Sequence, residues 1–253
     1  MNAMSILTVV VTVAILGFLY WRMIKREVPE RIGAFQALLP IALGVVSMFP
    51  SAFCGVMYMK YVMAPIAASQ GPEAVYAGYF TILKNSCFSA GLPEEVFKLI
   101  MIVIVLLVLR SKVKNVYEYV MIGAAVGFGF TIAEEFYYAE SGEVMTFVMR
   151  MISVAGHMMF NMIMAEFLGR ARFARLNGTG SPVLLYVLAL LVPVALHSLF
   201  DSCVGGLVGP VLGTLPGMIR GLVAFVSMLV LQLFVLIRFK KKTAEFCGMT
   251  VKV

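Results

Sequence analysis

Residues 92–111 read LPEEVFKLIMIVIVLLVLRS, an apolar run that opens with two glutamates and a lysine. A helix needs about 20 mostly apolar residues to cross a bilayer, and this run reaches that length. A charged side chain inside a membrane helix costs roughly 2.5–3.5 kcal/mol. The charged residues at the start of the run are therefore candidates for function rather than for packing.

Further runs of the 253-residue chain share this apolar character. The predicted spans are 3–22, 34–57, 92–111, 117–139, 146–169, 183–205 and 216–238. These runs are too continuous for the strands of a membrane barrel, which alternate apolar and polar residues. The chain is 62% hydrophobic, whereas a soluble domain is about 45–50% apolar. The sequence thus predicts an all-α polytopic transmembrane helical bundle, with residues 1–253 forming a single integral membrane domain.

Basic residues decide the predicted orientation, because they concentrate on the cytoplasmic side of membrane proteins. The basic clusters lie at 22–31, 110–114, 170–175 and 238–242. They share one side only if the fairly apolar segment 74–91 does not cross. We therefore predict an interfacial or re-entrant helix at 74–91 and seven spans, with the N-terminus outside and the C-terminus inside. If 74–91 crosses, the chain has eight spans.

The formal net charge of +7 comes from basic residues grouped at these helix ends. It predicts attraction to anionic lipid and no nucleic-acid partner. The four cysteines show no CxxC spacing, which disfavours a zinc–cysteine site. A disulfide between Cys54 and Cys87 stays open at this point, and the alternative is four small buried apolar residues.

Several predicted spans carry titratable residues in the outer half of the membrane. These residues are Glu94, Glu95, Lys98, Glu134, Glu135, His157, His197 and Asp201. Glu94 and Glu95 stand at the outer edge, and at 1.5 Å per residue His197 lies roughly 12 Å and His157 roughly 16 Å deep. Each feature alone could be an interfacial ion pair or an interhelical hydrogen bond. Their shared depth predicts one common polar site.

Spacing indicates which groups act together. Glu94 and Lys98 are four residues apart, as are His197 and Asp201, so each pair shares a helix face. A carboxylate one turn from a histidine can fix the tautomer of that histidine. A glutamate kept ionised by a lysine, and placed beside a histidine, can activate a water molecule. Neighbours on a helix point about 100° apart, and the spacing does not rank Glu94 against Glu95 as the base.

The ordered motifs resemble those of the PrsW family of intramembrane proteases, within the wider superfamily of CAAX prenyl proteases and bacteriocin-processing enzymes. The matching segments are Glu94-Glu95-Val96-Phe97-Lys98 for EExxK, residues 129–134, Gly156-His157, and His197-Ser198-Leu199-Phe200-Asp201 for HxxxD. They define a motif-bearing protease core at about 91–202. The family usually has asparagine after the glutamate of the second motif, and Glu135 stands there instead, so the role of Glu135 is open.

The resemblance implies a bacterial, multi-pass endopeptidase of the cell membrane that cuts a membrane-anchored protein near the outer face. By analogy, the substrate is a single-pass membrane protein, and in family members it is an anti-sigma factor at its first cleavage site. The family's chemistry implies a water molecule activated by glutamate and histidine. The implied catalytic residues are Glu94, Glu95, His157 and His197, and the supporting residues are Lys98, Glu134 and Asp201.

This glutamic-type chemistry needs no cofactor, but carboxylate and imidazole are also ordinary zinc ligands. HExxH is absent, and a divalent metal such as zinc held by Glu95, His157 and His197 stays as the alternative. A proton-coupled transporter would need a polar path to both faces, whereas the inner halves of the predicted spans carry almost no charge. A non-enzymatic membrane partner would be expected to lack a site residue, and none is missing.

Overall fold

The computed structural model describes residues 3–26, 33–138, 150–151, 153–208 and 215–251. Within these ranges the regular elements are helices, and there is no strand apart from an isolated bridge between Asn115 and Thr250. The all-α prediction is confirmed. The α-helices of the described residues are α1 (Ala3–Ile24), α2 (Ala34–Tyr58), α3 (Ala64–Gln70), α4 (Tyr79–Ser86), α5 (Leu92–Val108), α6 (Val116–Tyr138), α7 (Gly156–Asn177), α8 (Pro182–Val208) and α9 (Leu215–Gly248).

Five stretches of the described chain are long and apolar enough to cross a membrane. They are Ile6–Ile24, Ala34–Gln70, Val116–Tyr138, Pro182–Cys203 and Gly221–Gly248. The predicted span 92–111 overlaps α5, which has 17 residues. The predicted span 146–169 overlaps α7, whose second half is charged, and residues 146–149 and 152 of that prediction lie outside the described residues. The chain is thus a multi-pass membrane protein, and the count of seven spans stays a prediction.

Two π-helical turns join neighbouring helices into longer ones. Met59–Met63 joins α2 to α3, and Cys87–Gly91 joins α4 to α5. Each turn ends two residues before a proline, Pro65 or Pro93. Proline has no N–H to donate, and its ring clashes with the carbonyl four residues back. Widening the turn just before it lets the chain stay helical across this interruption.

This continuity corrects the prediction for segment 74–91. A helix is present there, but it is not separate from the third span, because residues 79–108 form one helix through the π-turn. Glu94 and Glu95 consequently lie in the middle of a long helix and not at its first turn. The backbone at Gly91 and Leu92 has ordinary right-handed helical angles, so Pro93 does not begin a new element.

The middle of the bundle is α6, which is buried along most of its length. Glycines on α6 allow a close approach of α7, as small residues do in membrane helix pairs. A Cβ added to Gly127 would lie 2.4 Å from the backbone oxygen of His157, and one added to Gly123 would lie 2.2 Å from that of Asn161. These two glycines therefore bring α7, with its histidine, directly against α6.

The described residues of the basic clusters meet at one end of the bundle. Near the C-terminus, the Val251 N–H donates to the Lys114 carbonyl at 2.8 Å. Glu166 on α7 binds Arg238 of α9 and Arg170 of its own helix. The orientation prediction requires the basic clusters to lie at the same end of the bundle. Which side of the membrane this end faces stays a prediction.

All four cysteines are free thiols, so the structure has no Cys54–Cys87 disulfide.

Candidate active site

Four helices bring the predicted titratable residues into one polar cluster, away from the basic end. Helix α5 supplies Glu94, Glu95 and Lys98, α6 supplies Glu134 and Glu135, α7 supplies His157, and α8 supplies His197 and Asp201. Each of these side chains lies within hydrogen-bond or ion-pair distance of a charged or imidazole group. These residues, which the sequence places at similar depth, therefore lie together in the structure.

Lys98 joins the carboxylates of its own helix to α7. Its Nζ lies 2.7 Å from Glu95 Oε1, 3.2 Å from Glu94 Oε2 and 3.0 Å from His157 Nδ1. The ammonium also sits 3.9 Å from the centre of the Phe130 ring, a favourable position for a cation. The side chain is fully buried, and the surrounding carboxylates offset the cost of burying its charge.

The two nitrogens of His157 contact different partners. Nε2 lies 2.9 Å from Glu134 Oε2, and Nδ1 lies 3.0 Å from Lys98 Nζ. An ammonium can only donate, so Nδ1 accepts from Lys98 and Nε2–H donates to Glu134. Glu134 therefore orients the ring and sets its tautomer.

His197 lies between carboxylates of two helices. Its Nδ1 is 2.9 Å from Glu95 Oε1, and its Nε2 is 3.3 Å from Asp201 Oδ2 and 3.8 Å from Glu94 Oε2. The helix spacing predicted contact with Asp201, and that contact is present. The carboxylate on the far nitrogen is Glu95, however, because this side of the ring points toward α5. The ring also stacks on Phe160, with centroids 5.3 Å apart.

Glu94 and Glu95 differ in access. Glu95 has 0% exposure, its Oε1 is shared by Lys98 and His197, and its Oε2 is buried without a hydrogen-bond partner. Glu94 has 15% exposure, and its Oε2 lies 3.9 Å from His157 Nδ1 and 3.8 Å from His197 Nε2. Glu94 is therefore the carboxylate that faces the space between the two histidines.

Arg150 is a site residue that the sequence prediction missed. Its Nη2 lies 2.7 Å from Glu134 Oε2, and its Nε lies 2.8 Å from Glu135 Oε1. Glu135, whose role the resemblance left open, is thus buried in an ion pair with Arg150. The sequence did contain a signal for it, because Arg150 is the single arginine within the predicted apolar span 146–169.

Glu94, His157 and His197 offer ligand atoms that all lie within 4.8 Å of one another. A carboxylate with two imidazoles is an ordinary zinc ligand set. The second nitrogen of each histidine binds a carboxylate, Glu134 or Glu95, as is usual for histidines that bind metals. The trio therefore fits a divalent cation, provided that the Lys98 ammonium gives up its hydrogen bond to His157 Nδ1, the nitrogen that faces Glu94. The predicted ligand set is corrected at one position, since Glu94 and not Glu95 belongs to it.

Charge also favours a cation in this cluster. The carboxylates are Glu94, Glu95, Glu134, Glu135 and Asp201, and the permanent cations they contact are Lys98 and Arg150. Uncompensated carboxylates are costly to bury. A bound divalent ion or additional protons would offset the excess.

Comparison with known proteins adds independent information. The family model described as "PrsW family intramembrane metalloprotease" matches residues 32–237 of the chain. The chain is similar to the protein named "Protease PrsW" of Bacillus subtilis (strain 168), with 29% identity over 178 residues. That match covers 70% of this chain and 73% of the Bacillus protein. No solved structure matches the chain.

Proposed function

Since the chain belongs to the PrsW family of intramembrane proteases, as the family match over residues 32–237 shows, we propose that Glu94, His157 and His197 hydrolyse a peptide bond of a membrane-anchored protein. The observation that carries this assignment is the position of Glu94. Its Oε2 lies within 4 Å of a nitrogen of each histidine, and it is more exposed than Glu95. A water molecule between these three groups would contact a base and two imidazoles.

In this proposal Glu94 takes a proton from water as the water attacks the peptide carbonyl. Such general-base assistance typically contributes about 10²–10⁴-fold to a rate. His197 donates a hydrogen bond from Nε2 to the oxyanion that develops on the carbonyl oxygen. Glu94 then gives this proton to the leaving amine, either directly or through His157 Nδ1, which lies 3.9 Å from Glu94 Oε2 and would relay the proton after releasing Lys98. Each imidazole is held at one nitrogen by a carboxylate, Glu134 for His157 and Glu95 for His197, so neither ring has to reorient during the reaction.

The remaining charged residues of the site position these groups. Glu95 holds His197 and Lys98, and Glu134 holds His157 while it is itself held by Arg150. Asp201 contacts Nε2 of His197, which is also the nitrogen that faces Glu94. We therefore assign positioning roles to Glu95, Glu134 and Asp201, with Lys98 and Arg150 as their cationic partners.

The same trio would hold a divalent cation such as zinc, and with the ion bound Glu94, His157 and His197 would serve as its ligands in place of the base and donor roles described above. When bound, such an ion polarises the substrate carbonyl and makes water more acidic. The sequence alone favoured a glutamate working without metal. The ligand geometry and the description of the matching family as a metalloprotease support the metal-dependent form.

For the substrate, we propose a single-pass membrane protein cut near the outer face, such as an anti-sigma factor at its first cleavage site. The resemblance of the motifs supports this class. The position of the polar cluster supports cleavage near the outer face, because the cluster lies away from the end where the basic clusters meet. Basic clusters are expected on the cytoplasmic face.

The proposal is tested in cells that carry the wild-type chain, Glu94→Gln or His157→Ala. Glu73→Gln is the matched control, because Glu73 is an exposed glutamate outside the site. New N-termini of membrane proteins are measured by mass spectrometry, with equal membrane levels of each variant. We expect new outer-side termini with the wild type and the control only. Identical termini from the Glu94→Gln cells would contradict the assignment.

A further inference from the structure

A cavity of about 520 Å³ lies near the basic end of the bundle, apart from the candidate active site. It is lined by residues of α1, α6, α7 and α9, and by Arg26 just beyond α1. Its volume is in the range of about 300–1,000 Å³ that is usual for small-molecule sites. The proposed protease function does not use this cavity.

Three basic residues line one part of the cavity: Arg22, Arg26 and Lys240. They come from opposite ends of the chain, so their convergence is a product of the fold. Within the described part of the chain, none of the three has a carboxylate partner. Glu166, the buried carboxylate on neighbouring α7, is already bound by Arg238 and Arg170. The cavity therefore has three positive charges that an anionic ligand could neutralise.

The rest of the lining is mainly apolar. Met162 and Phe239 are buried, whereas Phe18 and Ile237 are 58% and 51% exposed on the flank of the bundle. Both exposed residues belong to helices apolar enough to cross the membrane. Their neighbours in a bilayer are acyl chains, so the cavity combines an apolar wall beside lipid with a cationic part.

We propose that this cavity binds an anionic phospholipid, with its phosphate among Arg22, Arg26 and Lys240 and an acyl chain along Phe18 and Ile237. Basic pockets between membrane helices on the cytoplasmic side are typical sites for anionic headgroups. A free phosphate would leave the apolar wall uncovered, and a zwitterionic lipid would neutralise less charge. A lipid bound there would connect α1 to α9.

The test uses the full chain in nanodiscs of phosphatidylcholine, to which phosphatidylglycerol is added. Bound lipid is counted by native mass spectrometry after release from the nanodisc. The lining variant is Arg22→Gln/Arg26→Gln/Lys240→Gln. Its matched control is Lys25→Gln/Arg110→Gln/Lys241→Gln, which removes the same charge from exposed positions outside the cavity lining.

Each basic residue near an anionic surface contributes about fivefold in affinity. We expect the wild type and the control to retain phosphatidylglycerol in preference to phosphatidylcholine, and the lining variant to bind it at least tenfold more weakly than the control. Equal binding by the two triple variants would overturn the proposal, because it would indicate only general surface attraction.

A second measurement tests the apolar wall with all charges in place. Ile237→Trp adds bulk at an exposed lining position, and we expect it to weaken retention of phosphatidylglycerol severalfold. Glycerol phosphate, which has the headgroup chemistry without acyl chains, should not displace the lipid. Unchanged retention in Ile237→Trp, or displacement by glycerol phosphate, would contradict a lipid site.

Discussion

Glu94 and Glu95 are adjacent in the chain and have different surroundings. Glu95 is enclosed by Lys98 and His197, whereas Glu94 faces the space between the histidines and keeps some exposure. On a helix, neighbouring side chains point about 100° apart, so only one of them can face that space. We therefore propose proton transfer for Glu94 and positioning for Glu95.

The two glutamates should respond differently to the same substitution. Glu94→Gln removes the base, and we expect cleavage to fall by about 10²-fold or more with little change in thermal stability. Glu95→Gln breaks a fully buried ion pair, which typically costs on the order of 3–5 kcal/mol, so its unfolding temperature should fall markedly. Thermal unfolding in detergent and cleavage rates measure both effects. A stable, active Glu94→Gln variant would refute the division of roles.

Arg150 should act on the reaction through Glu134. Arg150→Gln frees Glu134 and weakens its hold on His157, so we expect a lower kcat with a nearly unchanged KM. Arg150→Lys keeps the charge and should recover part of the rate. Arg175→Gln, at an exposed position near the end of α7, is the control. A purely structural role for Arg150 would instead lower stability and leave the kcat of the folded protein unchanged.

At the scale of single residues, the sequence predicted most of the residues that form the candidate site. A charged residue in a membrane helix has a high free-energy cost, and this cost identifies the eight titratable residues from Glu94 to Asp201 as candidates. The contacts between them were harder to predict. That Glu95 and not Asp201 holds His197 Nδ1 depends on how α5 packs against α8, and no spacing within one helix contains that information.

At the scale of elements, the continuous helix over residues 79–108 differs from the sequence prediction, which separated 74–91 from the third span. The segment 74–91 contains the polar residues Lys84 and Asn85, and Pro93 is suited to the first turn of a helix. With the orientation rule, these residues predict a separate helix before α5. In the structure, Asn85 is buried, where its amide donates to the Val75 carbonyl at 2.7 Å and its Oδ1 accepts from Tyr58. The polar group is thus satisfied by tertiary contacts. The π-turn accommodates Pro93, and neither compensation is visible from local composition.

The contact between α6 and α7 predicts a sharp difference between two glycines. Gly127→Ala would place a methyl group 2.4 Å from the His157 carbonyl oxygen, and overpacking of this kind costs about 1–3 kcal/mol. Because the backbone of His157 must move, we also expect lower activity. Gly17→Ala is the control, since the nearest atom is 3.8 Å away, and it should be neutral or stabilising by about 0.5–1 kcal/mol. Equal unfolding temperatures for the two variants would contradict this packing.

At the scale of the whole molecule, the charges are separated along the bundle. The acidic and histidine cluster lies in one region, and the described residues of the four basic clusters meet at another. Hydropathy and the positive-inside rule were sufficient to predict this separation. They could not predict the cavity that Arg22, Arg26 and Lys240 share, because it depends on the contact between the first and last helices.

Metal content is a property of the assembled site. We expect the chain purified without chelator to carry about one equivalent of a divalent metal such as zinc, and His197→Ala to lose it. Elemental analysis measures this, and Glu73→Gln should keep the wild-type content. A chelator should stop cleavage, and zinc should restore it. Full activity in metal-free protein would instead support Glu94 acting on water without a cation.

The central claim is that this membrane-embedded cluster hydrolyses peptide bonds, and purified protein in liposomes tests it most directly. A single-pass substrate identified in cells is incorporated with the wild-type chain, Glu94→Gln or Glu73→Gln, at equal amounts of folded protein. We predict cleavage at wild-type rate by the control and a loss of about 10²-fold or more in Glu94→Gln. Cleavage by Glu94→Gln at the wild-type rate would contradict the claim.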